Sequence, residues 1–167
     1  MRGRRATEGN ISAAAGRGGS GLRVWADALE GPLDEIRRGP IDFLTLDYLA
    51  EVTMSLLQKQ RSRDPKTGYA RDFVDMVARG GADILKRNIK IVANAGGVNP
   101  SACRTAVSKA LGKSGVKIAV VAGDDISGRL DELIPRGVEL KSRDRGEPLS
   151  AVPDRVQCRE GFFGLCP

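Results

Sequence analysis

The chain has 167 residues, enough for one domain with a true core, because a domain near that size buries about two-thirds of its unfolded surface. Hydrophobic residues at 41% and charged residues at 29% exclude a disordered or membrane-spanning class, and no apolar run approaches the roughly 18 residues that cross a bilayer. Of the net charge of +6, residues 1–23 carry +4 through Arg2, Arg4, Arg5, Arg17 and Arg23 against Glu8, so the rest is too nearly neutral to make nucleic acid an expected partner.

Histidine is absent, which removes every mechanism that needs a histidine base from this chain. The three cysteines, Cys103, Cys158 and Cys166, form no C-x-x-C pair, so a structural zinc site is not expected and a reducing, cytoplasmic setting is. The opening 23 residues are rich in Arg, Gly and Ala and lack the apolar core of a secretory signal; their acid-poor character suits an organelle transit peptide, and a disordered tail or mis-called start is the blander reading and the one expected.

Beyond the tail, strands and helices alternate. "IDFLTLD" (41–47), "IKIVANA" (89–95) and "GVKIAVVAG" (115–123) read as strands, the third most clearly, and their near-continuous apolar character predicts burial on both faces. Leu49, Val52, Leu56 and Leu57 follow helical spacing up to Asp64-Pro65. A second helix is predicted from Asp72 through Phe73, Val77, Ile84 and Leu85, weakened by Gly80-Gly81; a third covers about Ser101–Leu111. A fourth begins near Asp125 with Leu130, Leu133 and Ile134, and Val138–Lys141 reads as a short strand. The expected fold is α/β: a three-layer, mostly parallel sheet with helices on both faces, incomplete at its ends.

In open α/β sheets ligands bind outside the carboxyl ends of strands, which here are "DYLAE" (47–51), "NAGGVNP" (94–100) and "GDD" (123–125). Gly96 and Gly97 permit positive φ and close approach, so Asn94, Gly96, Gly97 and Asn99 are the candidate ligand-binding residues for an anion; a tight turn without ligand is the alternative. Asn99 suits a helix N-cap and Pro100 the first helical position, which needs no ligand. Neither nucleotide-binding glycine pattern is present. Asp47, Glu51, Asp124 and Asp125 are the candidate acids or bases. Asp47 and one of the Asp124-Asp125 pair also suit helix N-caps, and the spare carboxylate of that pair is a candidate metal ligand with no third ligand identifiable. Cys103 reads as a small buried hydrophobe, and "RSRDPKTGYARD" (61–72) as a solvated loop whose cations can reach an acidic substrate.

Together "DFLTLDYLAEVTMSLLQKQRSRDPKTGYARDFVD", "KIVANAGGVNPSACRTAV" and "KIAVVAGDDI" resemble the N-terminal domain of the acyclic terpene utilisation family, over about residues 24–157. The resemblance implies bacterial breakdown of acyclic terpenes such as citronellol and geraniol, a route through acyl-CoA thioesters and a biotin-dependent carboxylase. It implies an acyl-CoA or other anionic small molecule and pathway carboxylase subunits as partners. It assigns no cofactor and no catalytic residue, and leaves enzyme and non-enzymatic scaffold subunit both open. "VWAD" (24–27) retains only part of a family opening resembling G-F-W-G-D, and "CREGFFGLCP" (158–167) replaces a family segment of the S-A-N-A-Y type. The expectation is a copy truncated at both ends, with 158–167 a non-family tail and the first strand lost.

Overall fold

The computed structural model describes residues 13–17, 29–49, 51–112 and 114–125, together with residues 129, 132, 135, 136, 141, 146 and 148. Its centre is a three-stranded parallel sheet in the order β1 (Ala13–Arg17), β2 (Phe43–Asp47), β3 (Lys90–Ala93). Helix α1 (Glu30–Arg38) joins β1 to β2, and α2 (Glu51–Arg63) and α3 (Arg71–Arg87) join β2 to β3. Helix α4 (Pro100–Leu111) leaves β3. The register places Arg17 against Asp47 and Leu46 against Ala93, so the strands end level at their carboxyl edge.

Strand β1 lies inside the stretch expected to be a disordered tail. For these five residues that expectation is overturned: their backbone pairs with β2 along its whole length. A strand, "AAAGR", thus lies beside β2, upstream of the "VWAD" stretch read as what remains of the opening strand. Small residues give no apolar alternation, so this strand exists through ladder pairing rather than through a pattern that local sequence displays.

The burial of the sheet also differs from expectation. Leu44 and Leu46 are almost completely buried, whereas Thr45 and Asp47 between them are exposed; on β3, Ile91 and Ala93 pack against the core while Lys90 and Val92 do not. One face of the sheet thus carries the core, and the other is open among the described residues. Leu33 and Ile36 of α1, Met76 and Val77 of α3, and Cys103 and Val107 of α4 join the same core cluster as Leu44 and Leu46. The described residues build two layers, with α1, α3 and α4 on one side, and the expected second helical layer is not among them.

Helix α1 has no counterpart in the sequence reading. Gly31-Pro32 obscures its start, although proline in a first turn costs no hydrogen bond and Leu29, Leu33 and Ile36 are spaced for one face. Its carboxyl end is closed by Arg87 from the end of α3, whose guanidinium donates to the carbonyl oxygens of Ile36 and Gly39. A cation there also complements the helix dipole. Gly80 and Gly81 do not weaken α3. A Cβ at Gly80 would crowd Leu33 and Ile36 at 3.2 and 3.3 Å, and one at Gly81 would meet Leu111 at 2.8 Å, so the two glycines set how closely α1 and α4 approach α3. In α2 the inward residues are Thr53 and Leu57; Leu56, expected on the apolar stripe, is 38% exposed.

The clearest predicted strand, 115–123, belongs to no ladder among the described residues. Its β-rich composition makes it extended, and composition cannot supply a partner. The fourth predicted helix and Val138–Lys141 fall largely outside the described residues; Lys141 itself bridges Pro148.

Candidate functional site

At the carboxyl edge, the ends of β2 and β3 are tied by one side chain. Asn94 donates through Nδ2 to Asp47 Oδ1 at 2.7 Å and accepts through Oδ1 from the backbone N–H of Tyr48 at 2.7 Å. Asp47 Oδ1 also accepts from the Leu49 N–H at 3.2 Å. Asp47 is therefore a strand-end clasp, not the N-cap of α2, which begins four residues later at Glu51. The Glu51 side chain lies outside the described residues.

After β3 the chain makes the Gly-Gly turn and enters α4. Asn99 caps this helix by accepting the Ala102 N–H at 3.3 Å, with Pro100 next, as local chemistry predicts. Its Nδ2 donates to the carbonyl oxygens of Pro65 at 2.9 Å and Thr67 at 2.8 Å, so one residue starts the helix and holds the loop after α2. That loop lies along the turn. Ala70 N–H donates to Ala95 O, Val98 N–H donates to Gly68 O, and Arg61 Nη1 donates to Val98 O. Arg61 is half-buried and held in place, unlike the solvated cation expected of this stretch.

These bonds bear on how an anion is bound. The N–H groups of Gly97, Val98 and Asn99 are donated to the carbonyl oxygens of Asn94, Gly68 and Gly96. A nest of amides free to cradle a ligand is not what the turn presents. Gly97 has φ +51°, and a Cβ there would collide with Leu57 and approach Gly68 O to 2.8 Å. The glycine is required by the chain's own packing.

A cleft of about 610 Å³ opens beside the turn. Gln58, Arg61 and Ser62 line it from α2, Gly97 to Ser101 from the turn and first helical residues, and Ala122 to Asp125 from the extended segment. Gly97, Asn99, Asp124 and Asp125 of the sequence-predicted residues meet here. Asp47, Tyr48, Leu49, Asn94 and Gly96 are not among the described residues that line it. Sequence reasoning did not single out Ser62 or Ser101; their only signal is that they fall beside a turn and a helix start. Among the described residues no group of three or more acidic or cysteine side chains is placed to hold a metal ion.

Beneath the edge, Tyr48 is 3% exposed and meets Phe73 edge-on at 5.7 Å between ring centroids. Burial, reinforced by the charge of Asp72, raises the Tyr48 phenol well above its ordinary value. Burial raises Asp72 too, partly offset by its backbone hydrogen bonds. The Cys103 thiol is pushed up to about 11 by burial, opposite to the activation that a helix start can give a thiol. Cys103 is a core residue, as its sequence context suggests.

Of these raised groups, the Cys103 thiol and the Tyr48 phenol act on alkaline stability in the same sense. The unfolded chain loses the thiol proton near 9.0 and the phenol proton near 10.0, before the folded chain does, so their contribution is intact below pH 9.0 and is lost as pH rises. Thermal melts are expected to show a falling midpoint from pH 9.0 to about 11 that Cys103→Ala flattens, and a further fall above 10.0 that Tyr48→Phe flattens. Identical alkaline slopes in the parent and both variants would contradict this burial.

The family description "Acyclic terpene utilisation family protein AtuA" matches residues 17–167. The chain belongs to the acyclic terpene utilisation family. The match begins at the last residue of β1 and runs through residues 158–167, the stretch expected to lie outside the family. No curated protein and no solved structure matches the chain. Among the described residues no helix of this family member is long and apolar enough to cross a membrane.

Proposed function

We propose that this member of the acyclic terpene utilisation family binds an acyl-CoA thioester, or a comparable anionic intermediate of terpenoid breakdown, in the cleft beside the Gly-Gly turn. The observation that carries the reading is the cleft itself: a fixed guanidinium, a serine at a helix start, a second serine at a helix end, and two carboxylates border a volume in the range of small-molecule sites. Arg61 and Ser101 supply cationic and hydroxyl partners for the anionic end, with Ser62, whose hydroxyl donates to Gln58 O, beside them. Asp124 and Asp125 stand across from them as the acids or bases, or as ligands of a cation, in a chain that has no histidine to do such work. The Gly96-Gly97 turn forms a wall rather than the anion cradle.

Calorimetry of the full chain with the CoA thioester of an acyclic terpenoid acid tests the proposal. Binding is expected, weakened about tenfold or more in Ser62→Ala/Ser101→Ala, exposed positions whose loss leaves the fold intact. Equal affinity in the parent and the double variant would remove the cleft from consideration.

The open outer face of the sheet favours a second reading, a non-enzymatic subunit that docks on a carboxylase of the same route. In that case the isolated chain binds thioester without converting it and co-purifies with the carboxylase.

A further inference from the structure

The segment from Gly115 to Gly123 is the strongest β sequence in the chain, yet it pairs with nothing in the sheet. It is not randomly disposed. Ile118 packs against the core cluster and Val116 is half-buried, while Lys117 and Ala119 are exposed, so the segment already alternates with a strand's period of two. The same core face is occupied on β3 by Ile91 and Ala93, with Lys90 and Val92 on the open face. Among the described residues β3 is one edge of the sheet, and such an edge is a template for another strand. The connection from Ala93 through α4 is long enough for a parallel crossover. Both ends of the segment are glycines at positive φ, Gly115 at +73° and Gly123 at +130°, with open space around each. Val120 and Val121 remain 39% and 95% exposed, an apolar exposure that pairing with β3 would reduce for Val120 on the core side.

We propose that Val116–Val121 is a fourth parallel strand held off the edge of β3, and that its docking moves Gly123, Asp124 and Asp125, which line the cleft, and closes it. In the proposed register core face meets core face, with Ile118 level with Ile91 and therefore Ala119 level with Val92. The two glycines are the hinges that let the segment move as a unit. Closure of the cleft by a ligand rests on the function proposed above; the strand itself does not.

Cysteine pairs read out the docking, because neighbouring strands lie about 4.8 Å apart and a disulfide forms only near that separation. In the full chain carrying Cys158→Ser and Cys166→Ser, the pair Val92→Cys/Ala119→Cys is expected to oxidise at least tenfold faster than Val92→Cys/Val120→Cys, whose side chains belong to opposite faces. Adding the CoA thioester is expected to speed the first pair further and leave the second unchanged. Equal rates for the two pairs without thioester would overturn the strand. Unequal rates that the thioester does not alter, where calorimetry shows it binds, would overturn the coupling to the cleft. If calorimetry shows no binding, the ligand reading fails, and the rates without thioester still decide the strand.

Discussion

Gly97→Val is expected to lower the melting midpoint by about 10 °C, and to do so whether or not a ligand is present. The backbone at Gly97 has φ +51°, which costs an ordinary L-residue roughly 1–2 kcal/mol and a β-branched one more. A side chain there also drives into Leu57 and toward Gly68 O, overpacking of the kind that costs about 1–3 kcal/mol. Together these give about 3–4 kcal/mol, and in a chain of this size each kcal/mol moves the midpoint by about 2–4 °C. Gly112→Ala is the control. It has φ +59° and ψ −139° with nothing within 4 Å of a Cβ, so its loss reports backbone strain without overpacking. A Gly97→Val variant that melts with the parent would mean that the turn is not packed against α2 and its loop. A glycine read as an anion cradle predicts the reverse outcome for Gly97→Val, lost affinity with stability retained.

The second large effect is expected at Asn99. Asn99→Ala removes an N-cap, worth about 1 kcal/mol, and two hydrogen bonds to Pro65 and Thr67, each worth about 1 kcal/mol net. A loss of about 2–3 kcal/mol should appear in urea melts as a lower midpoint at constant slope. Asn99→Asp separates the contributions. It keeps the capping oxygen, loses both donors and turns an oxygen toward two carbonyls, so it is expected to be no more stable than Asn99→Ala at neutral pH. A variant Asn99→Asp as stable as the parent would show that the bonds to the loop contribute nothing.

What could be read in the sequence follows from the range of the forces involved. The start of α4 was legible because Asn99 and Pro100 fix it through bonds within one turn. Strands β2 and β3 were legible as apolar runs, but not which of their faces is covered, since Thr45 and Val92 are exposed only because nothing described packs over them. Strand β1 was illegible: "AAAGR" has no pattern, and its partner β2 lies 30 positions along the chain. Gly80-Gly81 looked like a flaw in a helix until Leu33, Ile36 and Leu111 were seen to occupy the space that side chains would take. The candidate site was half legible. Gly97, Asn99, Asp124 and Asp125 do gather at one cleft, but Ser62 and Ser101 are ordinary surface residues until α2 is laid beside the turn, and Asp47 and Asn94 bond to each other away from it.

The most direct test of the central claim, that the cleft beside the turn is where the ligand binds, is a titration of isotopically labelled full chain with the CoA thioester, followed through its backbone amide resonances. Shifts clustered at Ser62, Ser101, Gly123 and Asp124 are the predicted result. Shifts confined to the strand ends around Asp47 and Asn94, or none at saturating thioester, would contradict it.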